Sequence, residues 1–234
     1  MNTAKLTLCD YVMQAPKISF KTIGTEQQPL WVIDNFFAEP DSLFSYAMSS
    51  SPVSEASGHY PGMRSPASAQ YKTAVLALVG KLINQFDASV RLQRIDAYYS
   101  LVATPPEQLN IVQRIPHFDK PLTNEYAVIH FLCGEEQGGT AFYQHRSTEF
   151  EFITEQRQNR YLASLERDIK QQGMPQGYIN GDSDLFRQIH SEKAFFNRAL
   201  VYRCSSLHSG CIARDYVPVF DPNKGRFTLT SFLG

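Results

Sequence analysis

The stretch QRIPHFDKP, residues 113–121, decides how the rest of the chain is read. Two prolines frame a histidine, an aromatic residue and an aspartate. In an extended segment successive side chains point to opposite faces, so His117 and Asp119 share one face and Phe118 takes the other. One imidazole and one carboxylate then converge on a point, and a metal held there needs a third ligand from elsewhere in the chain.

The surroundings allow such a site. With 234 residues, 43% hydrophobic and 12% aromatic, the chain is long enough for one domain with a sizeable core. It contains no apolar run of the roughly 20 residues that a membrane span needs. The opening MNTAKLTLCDYVMQ carries a lysine and an aspartate around a short apolar patch, a poor signal peptide. Cys9, Cys133, Cys204 and Cys211 show neither a C-x-x-C pair nor a disulfide-framework spacing, which reads as reduced thiols in a cytoplasmic protein. The 22 basic and 23 acidic residues give a net charge of −1 without a basic block, which argues against a nucleic-acid partner.

The pattern predicts a support region of short strands and helices in residues 1–89 and short β-type runs beyond. LWVIDNFF (30–37) reads as a strand and a turn, and EPDSLFSYAMSS (39–50) as a short helix with Pro40 near its start. A loop rich in Ser, Gly and Pro follows and contains GHYPGMRSP (58–66). Val75, Leu78, Val79, Leu82, Ile83 and Phe86 fall on one face of a helix over 67–86. Strand candidates are 91–103, 126–133, 139–145, 186–194, 197–204 and 226–233, interrupted by a helix over about 150–172 that Gly173 stops. This pattern predicts a mainly β sandwich or barrel in residues 90–234, with the N-terminal helices packed on one sheet.

Among six histidines, at 59, 117, 130, 145, 190 and 208, His208 is the best third ligand. It ends a β-patterned segment, VYRCSSLHSGC, and a ligand carried at a strand end is held rigidly. Two imidazoles and one carboxylate form the facial triad of non-haem Fe(II) oxygenases and leave coordination positions open. A 2-oxo acid chelating that iron would need a cation for its far carboxylate. In the closing GRFTLTSFLG, alternation puts Arg226, Thr228 and Thr230 on one face and Phe227 and Leu229 on the other. A guanidinium grips a carboxylate bidentately, and a hydroxyl two residues on adds a hydrogen bond.

The order H-x-D, strand, Gly-Gly-x-x-x-aromatic, distal His and Arg-x-Thr resembles the Fe(II)/2-oxoglutarate dioxygenases, prolyl-hydroxylase-like branch. It rests on His117-Phe118-Asp119, YAVIHFLCGEEQGGTAFY, His208 and Arg226-Phe227-Thr228, and covers roughly residues 90–234. WVIDNFFAEPDSL resembles the branch's N-terminal strand and helix, and YPGMR (60–64) is similar to a bacterial subgroup of it. The resemblance implies one double-stranded β-helix (jelly-roll) domain over 1–234, with Fe(II) on His117, Asp119 and His208. It implies 2-oxoglutarate as cosubstrate on Arg226 and Thr228, O2 as oxidant and ascorbate as a stimulant. His130 stands where the family often has a tyrosine touching the cosubstrate, and Tyr126 or Tyr99 can take that place instead. The implied reaction is hydroxylation of an amino-acid, peptide, protein or other small-molecule substrate, with release of succinate and CO2. Halogenating relatives keep a small residue where this chain has Asp119, so hydroxylation is favoured.

Two insertions depart from the compact pattern. Asp119 to His208 is 89 residues (208 − 119) and His208 to Arg226 is 18 (226 − 208). The helix near 150–172 accounts for much of the first and is a candidate wall or lid of the substrate cleft. CIARDYVPVFDPNK (211–224) reads as a loop or hairpin between core strands. Gly138-Gly139 reads as a hairpin turn, and His145 and His190 as structural. Tyr98 and Tyr99 are expected to split between pocket and core. His59, Tyr60 and Arg64 lie in a polar loop, with Tyr60 and Arg64 as candidate substrate contacts. The competing reading is a jelly-roll or cupin-like metal-binding module without turnover, which has no use for a buried cation at Arg226.

Overall fold

The computed structural model describes residues 15–50, 54–56, 58 and 60–234; Cys9, His59 and the opening segment lie outside them. The N-terminal part supplies a hairpin, β1 (Lys17–Ile23) and β2 (Gln28–Asp34), then α1 (Pro40–Ser50). The short β3 (Ser54–Glu55), β4 (Gly62–Pro66) and α2 (Ala69–Phe86) follow. From there the strands are β5 (Ile95–Val102), β6 (Tyr126–Phe131), β7 (Gly139–His145), β8 (Phe186–Lys193), β9 (Ala199–Arg203), β10 (His208–Gly210) and β11 (Phe227–Leu233). A third long helix, α3 (Glu155–Gln172), separates β7 from β8.

The segments after residue 94 pair in nested fashion. β5 pairs with β11, the single bridge at His117 joins His208 of β10, β6 pairs with β9, and β7 pairs with β8, all antiparallel. First meets last, second meets seventh, third meets sixth and fourth meets fifth. β11 also pairs with β6, and β10 with β7, so the nested pairs roll into two facing sheets. This is a double-stranded β-helix, the jelly roll. Among the described residues the larger sheet runs β1-β2-β9-β6-β11-β5-β4-β3 and the smaller one β10-β7-β8.

Helix α2 starts at Ser68, whose hydroxyl accepts from the Tyr71 amide, one of the orphan donors of a helix start. Its Tyr71, Val75, Val79 and Ile83 are buried against the outer face of the larger sheet, with Trp31, Tyr99, Tyr126, Val128 and Leu229. A middle layer between the sheets holds Leu30, Ala127, Phe131, Phe142, Leu200 and Tyr202. Ile83 is fully buried, so Ile83→Ala is expected to lower stability by about 2–5 kcal/mol, measured as a shift in urea midpoint at unchanged slope.

Several expectations change. Phe86 is 45% exposed at the helix end and packs on Phe20 and Trp31. Residues 62–66, expected in a loop, form β4, because β5 offers a free edge. Helix α3 lays Tyr161 and Leu165 on Ala141, Tyr143 and Phe186 of the smaller sheet. It covers that sheet from outside and contributes nothing to the cavity lining described below. Gly138-Gly139 is not a hairpin turn, since β6 and β7 lie in different sheets. A Cβ on Gly138, whose φ is +92°, would overlap the Cys211 carbonyl, and one on Gly139 the Glu192 carbonyl. The pair lets three chain segments approach closely. Cys133, Cys204 and Cys211 are free thiols. Among the described residues, no helix is long and apolar enough to cross a membrane.

Candidate metal centre

His117 and His208 exchange both backbone hydrogen bonds, each 2.9 Å, which brings their rings to a centroid separation of 4.5 Å. Two residues on, the Asp119 amide donates to the Cys204 carbonyl at 2.8 Å, so the segment stays extended and the carboxylate returns to the same face. Phe118 points the other way, towards Tyr161. One donor atom from each of His117, Asp119 and His208 lies within 4.8 Å of the others. The His117 Nε2 to Asp119 Oδ1 distance is 3.9 Å, and His208 Nε2 to Asp119 Oδ2 is 3.8 Å.

The donors fit a divalent ion chemically. His208 Nδ1 donates to the Ser206 carbonyl at 3.0 Å, which places the proton on Nδ1 and leaves the Nε2 lone pair facing Asp119. This is the kind of outer partner that orients a ligating histidine, and no residue pattern marks it, because the acceptor is a backbone group. Tyr202 packs edge-on against the His208 ring at 4.7 Å.

The three donors open into a cavity of about 330 Å³ that Tyr60, Arg64, Ile129, Tyr202, Arg226 and Thr228 help to line. Arg226 is 5% exposed. Its Nη1 and Nη2 donate to the carbonyls of Gln137 and Gly139 at 2.9 and 2.7 Å, so the Gly-Gly segment forms its cradle. No carboxylate of the described residues pairs with it. Thr228, Thr230 and Phe232 follow it on the cavity side of β11, as alternation requires.

His130, Tyr126 and Tyr99 lie elsewhere. On β6 the cavity side takes Ile129, with Ala127 and Phe131 in the layer between the sheets, so Tyr126, Val128 and His130 face the helices. His130 Nε2 donates to Asn197 Oδ1 at 3.0 Å, and its ring stacks on Tyr71. Tyr126 and Tyr99 are buried in the same helix-facing core; Tyr98 takes the other face of β5, near Arg64. His145 and His190 carry structural contacts: His145 Nδ1 with Thr148 Oγ1 at 2.9 Å and His190 Nε2 with Glu192 at 2.8 Å.

Burial pushes the His130 pKa down from 6.5 to about 4. The unfolded chain therefore binds more protons between these values, so stability is full above pH 6.5 and is lost as pH falls towards 4. The loss attributable to His130 is on the order of 3 kcal/mol. His130→Gln is expected to flatten that part of the stability–pH curve and to leave 2-oxoglutarate affinity unchanged, read by denaturation and by titration.

A family model matches residues 14–233. The chain belongs to DUF6445, a family of unknown function. No curated protein matches this DUF6445 chain in sequence. Among solved structures it is similar to a Pseudomonas putida prolyl-4-hydroxylase, with 11% identity, TM-score 0.46, and 89% of this chain and 93% of that one covered. HygX from Streptomyces hygroscopicus with iron bound gives 13%, 0.48, 91% and 87%. An N-substituted L-amino acid dioxygenase from Burkholderia ambifaria gives 13%, 0.45, 94% and 95%.

Proposed function

We propose that the chain is a single-domain non-haem Fe(II)- and 2-oxoglutarate-dependent dioxygenase. It hydroxylates an amino-acid, peptide, protein or other small-molecule substrate and releases succinate and CO2. One observation carries the reading: the His117–Asp119–His208 cluster and the buried guanidinium of Arg226 line the same cavity.

His117, Asp119 and His208 would hold the ion, and a facial set of three leaves its other side open to ligands. Bound Fe(II), with its cosubstrate, supplies the activation of O2, chemistry that no side chain here supplies. The chain's own residues bind and orient. Arg226 presents a cation in a fixed position, and Thr228 a hydroxyl beside it, for the distal carboxylate of 2-oxoglutarate. The Tyr60 hydroxyl is buried without a hydrogen-bond partner; burial raises its pKa, opposed first by Arg226 and then by Arg64, so it stays a neutral donor. Ile129, Tyr202 and Phe232 give the cavity apolar walls that limit water.

The test is succinate formation from 2-oxoglutarate with Fe(II), O2 and ascorbate. Slow turnover without added substrate is expected, stimulated by ascorbate. A protein that binds Fe(II) tightly yet never consumes 2-oxoglutarate would instead be a metal-binding module.

A further inference from the structure

The motif YPGMR acquires a physical explanation that the metal site does not absorb. A Cβ on Gly62 would overlap the Leu101 carbonyl, so only glycine lets β4 lie this close to β5. The Pro61 carbonyl accepts the Ala103 and Thr104 amides at 3.1 and 3.4 Å, which fixes where β4 starts. Arg64 is thereby set opposite Ser100, and Ser100 opposite Thr228. These three residues form one row across β4, β5 and β11. At about 4.8 Å per strand, Arg64 stands roughly 10 Å along the sheet from Thr228.

The guanidinium at that position is held but not neutralised. Its Nε donates to Ser100 Oγ at 3.3 Å, and Ser100 Oγ also accepts from Thr230 at 3.3 Å. The guanidinium lies 4.4 Å over the Tyr60 ring and 5.7 Å from that of Tyr98. No carboxylate of the described residues forms an ion pair with it. Burial lowers its pKa, opposed by Tyr60, Asp119 and Tyr98 in that order. Three basic residues line the cavity, Arg64, Lys120 and Arg226, and the Lys120 ammonium pairs with Glu125. That leaves two cations, Arg226 and Arg64 on the β4 wall, and a single cosubstrate carboxylate away from the metal occupies only one. A partly desolvated cation without a counter-charge is costly, and a fixed fork is the geometry that matches a carboxylate.

We infer that Arg64, oriented by Ser100 and framed by Tyr60 and Tyr98, is the binding residue for a carboxylate on the primary substrate, which makes that substrate a small carboxylic acid. The inference rests on the dioxygenase reading for its cosubstrate and on the row of side chains for its geometry. The cavity of about 330 Å³ lies at the small end of ligand pockets, as a small acid requires.

The test uses the full chain loaded with Mn(II), a silent and paramagnetic stand-in for iron, and with 2-oxoglutarate. Propionate, hexanoate, benzoate and N-acetylglycine are titrated beside their primary amides, and saturable broadening of the probe protons is read. At least one acid is expected to bind about thirtyfold more tightly than its amide. Arg64→Met should erase that difference, Arg64→Lys should restore part of it, and affinity for Mn(II) and 2-oxoglutarate should stay constant in both. Acids and amides that broaden alike, or an acid preference that survives Arg64→Met, overturn the assignment. So does an Arg64→Met chain that loses 2-oxoglutarate instead, because the guanidinium then serves the cosubstrate. A wild-type chain that takes Mn(II) but no 2-oxoglutarate defeats the dioxygenase reading alone; the acid–amide comparison, run with Mn(II) only, still decides Arg64.

Discussion

Asp119→Ala is expected to abolish succinate release from 2-oxoglutarate, and His117→Ala to do the same. Each removes one of three potential donors that lie within 4.8 Å of one another, and neither leaves a nearby replacement: in that cluster His208 is already the third donor. Losing an outer partner of a metal ligand typically costs about 10–100-fold in affinity or activity, so losing a ligand itself should cost more than about 100-fold. The fold should survive. The Asp119 backbone still donates to Cys204, and the His117 backbone still pairs with His208; neither bond needs the side chain. The measurement is Fe(II) or Mn(II) affinity beside turnover, with thermal unfolding as the control. Undiminished turnover in both variants would reject the site.

Much of this site was legible in the chain because its strands have unequal faces. In β11, Thr228 and Thr230 alternate with Phe227, Leu229 and Leu233, so period 2 assigns Arg226 to the polar side without a structure. In 113–121 the flanking prolines and the H-x-D spacing do the same for His117 and Asp119. β6 offers no such contrast. Almost every residue of it is buried, as in any strand covered on both faces, and its parity cannot be read from hydropathy. Sequence alone therefore allows His130, or Tyr126 in its place, on the cavity side, although both face the helices. Tyr99 fails similarly, on a strand whose second half is buried throughout. β10 is three residues long, too short for a periodic signal, yet it carries His208. β4 hides behind Pro61 and Gly62, which read as loop signals; here they seat a strand between β5 and the two-residue β3.

Arg226→Met is the second variant with a large effect, and two separate losses are expected from it. The first is stability. The guanidinium satisfies the carbonyls of Gln137 and Gly139 where Gly138 passes close to Cys211. Methionine takes the side-chain donor from the Gln137 carbonyl and leaves the Gly139 carbonyl with the Cys211 amide alone, at about 1–3 kcal/mol, seen as a lower urea midpoint. The second is cosubstrate affinity. Truncating one side of a buried, hydrogen-bonded charge pair costs about 2–5 kcal/mol, or at least about thirtyfold in the 2-oxoglutarate dissociation constant. Metal affinity measured without cosubstrate should hold, because His117, Asp119 and His208 bond to the backbone of one another's segments and not to Arg226. Arg226→Lys separates the two effects: it returns a point charge without the planar fork, so affinity should recover further than stability. If 2-oxoglutarate binds equally well to all three proteins, its distal carboxylate lies on another residue, and Arg226 only braces the Gly-Gly segment.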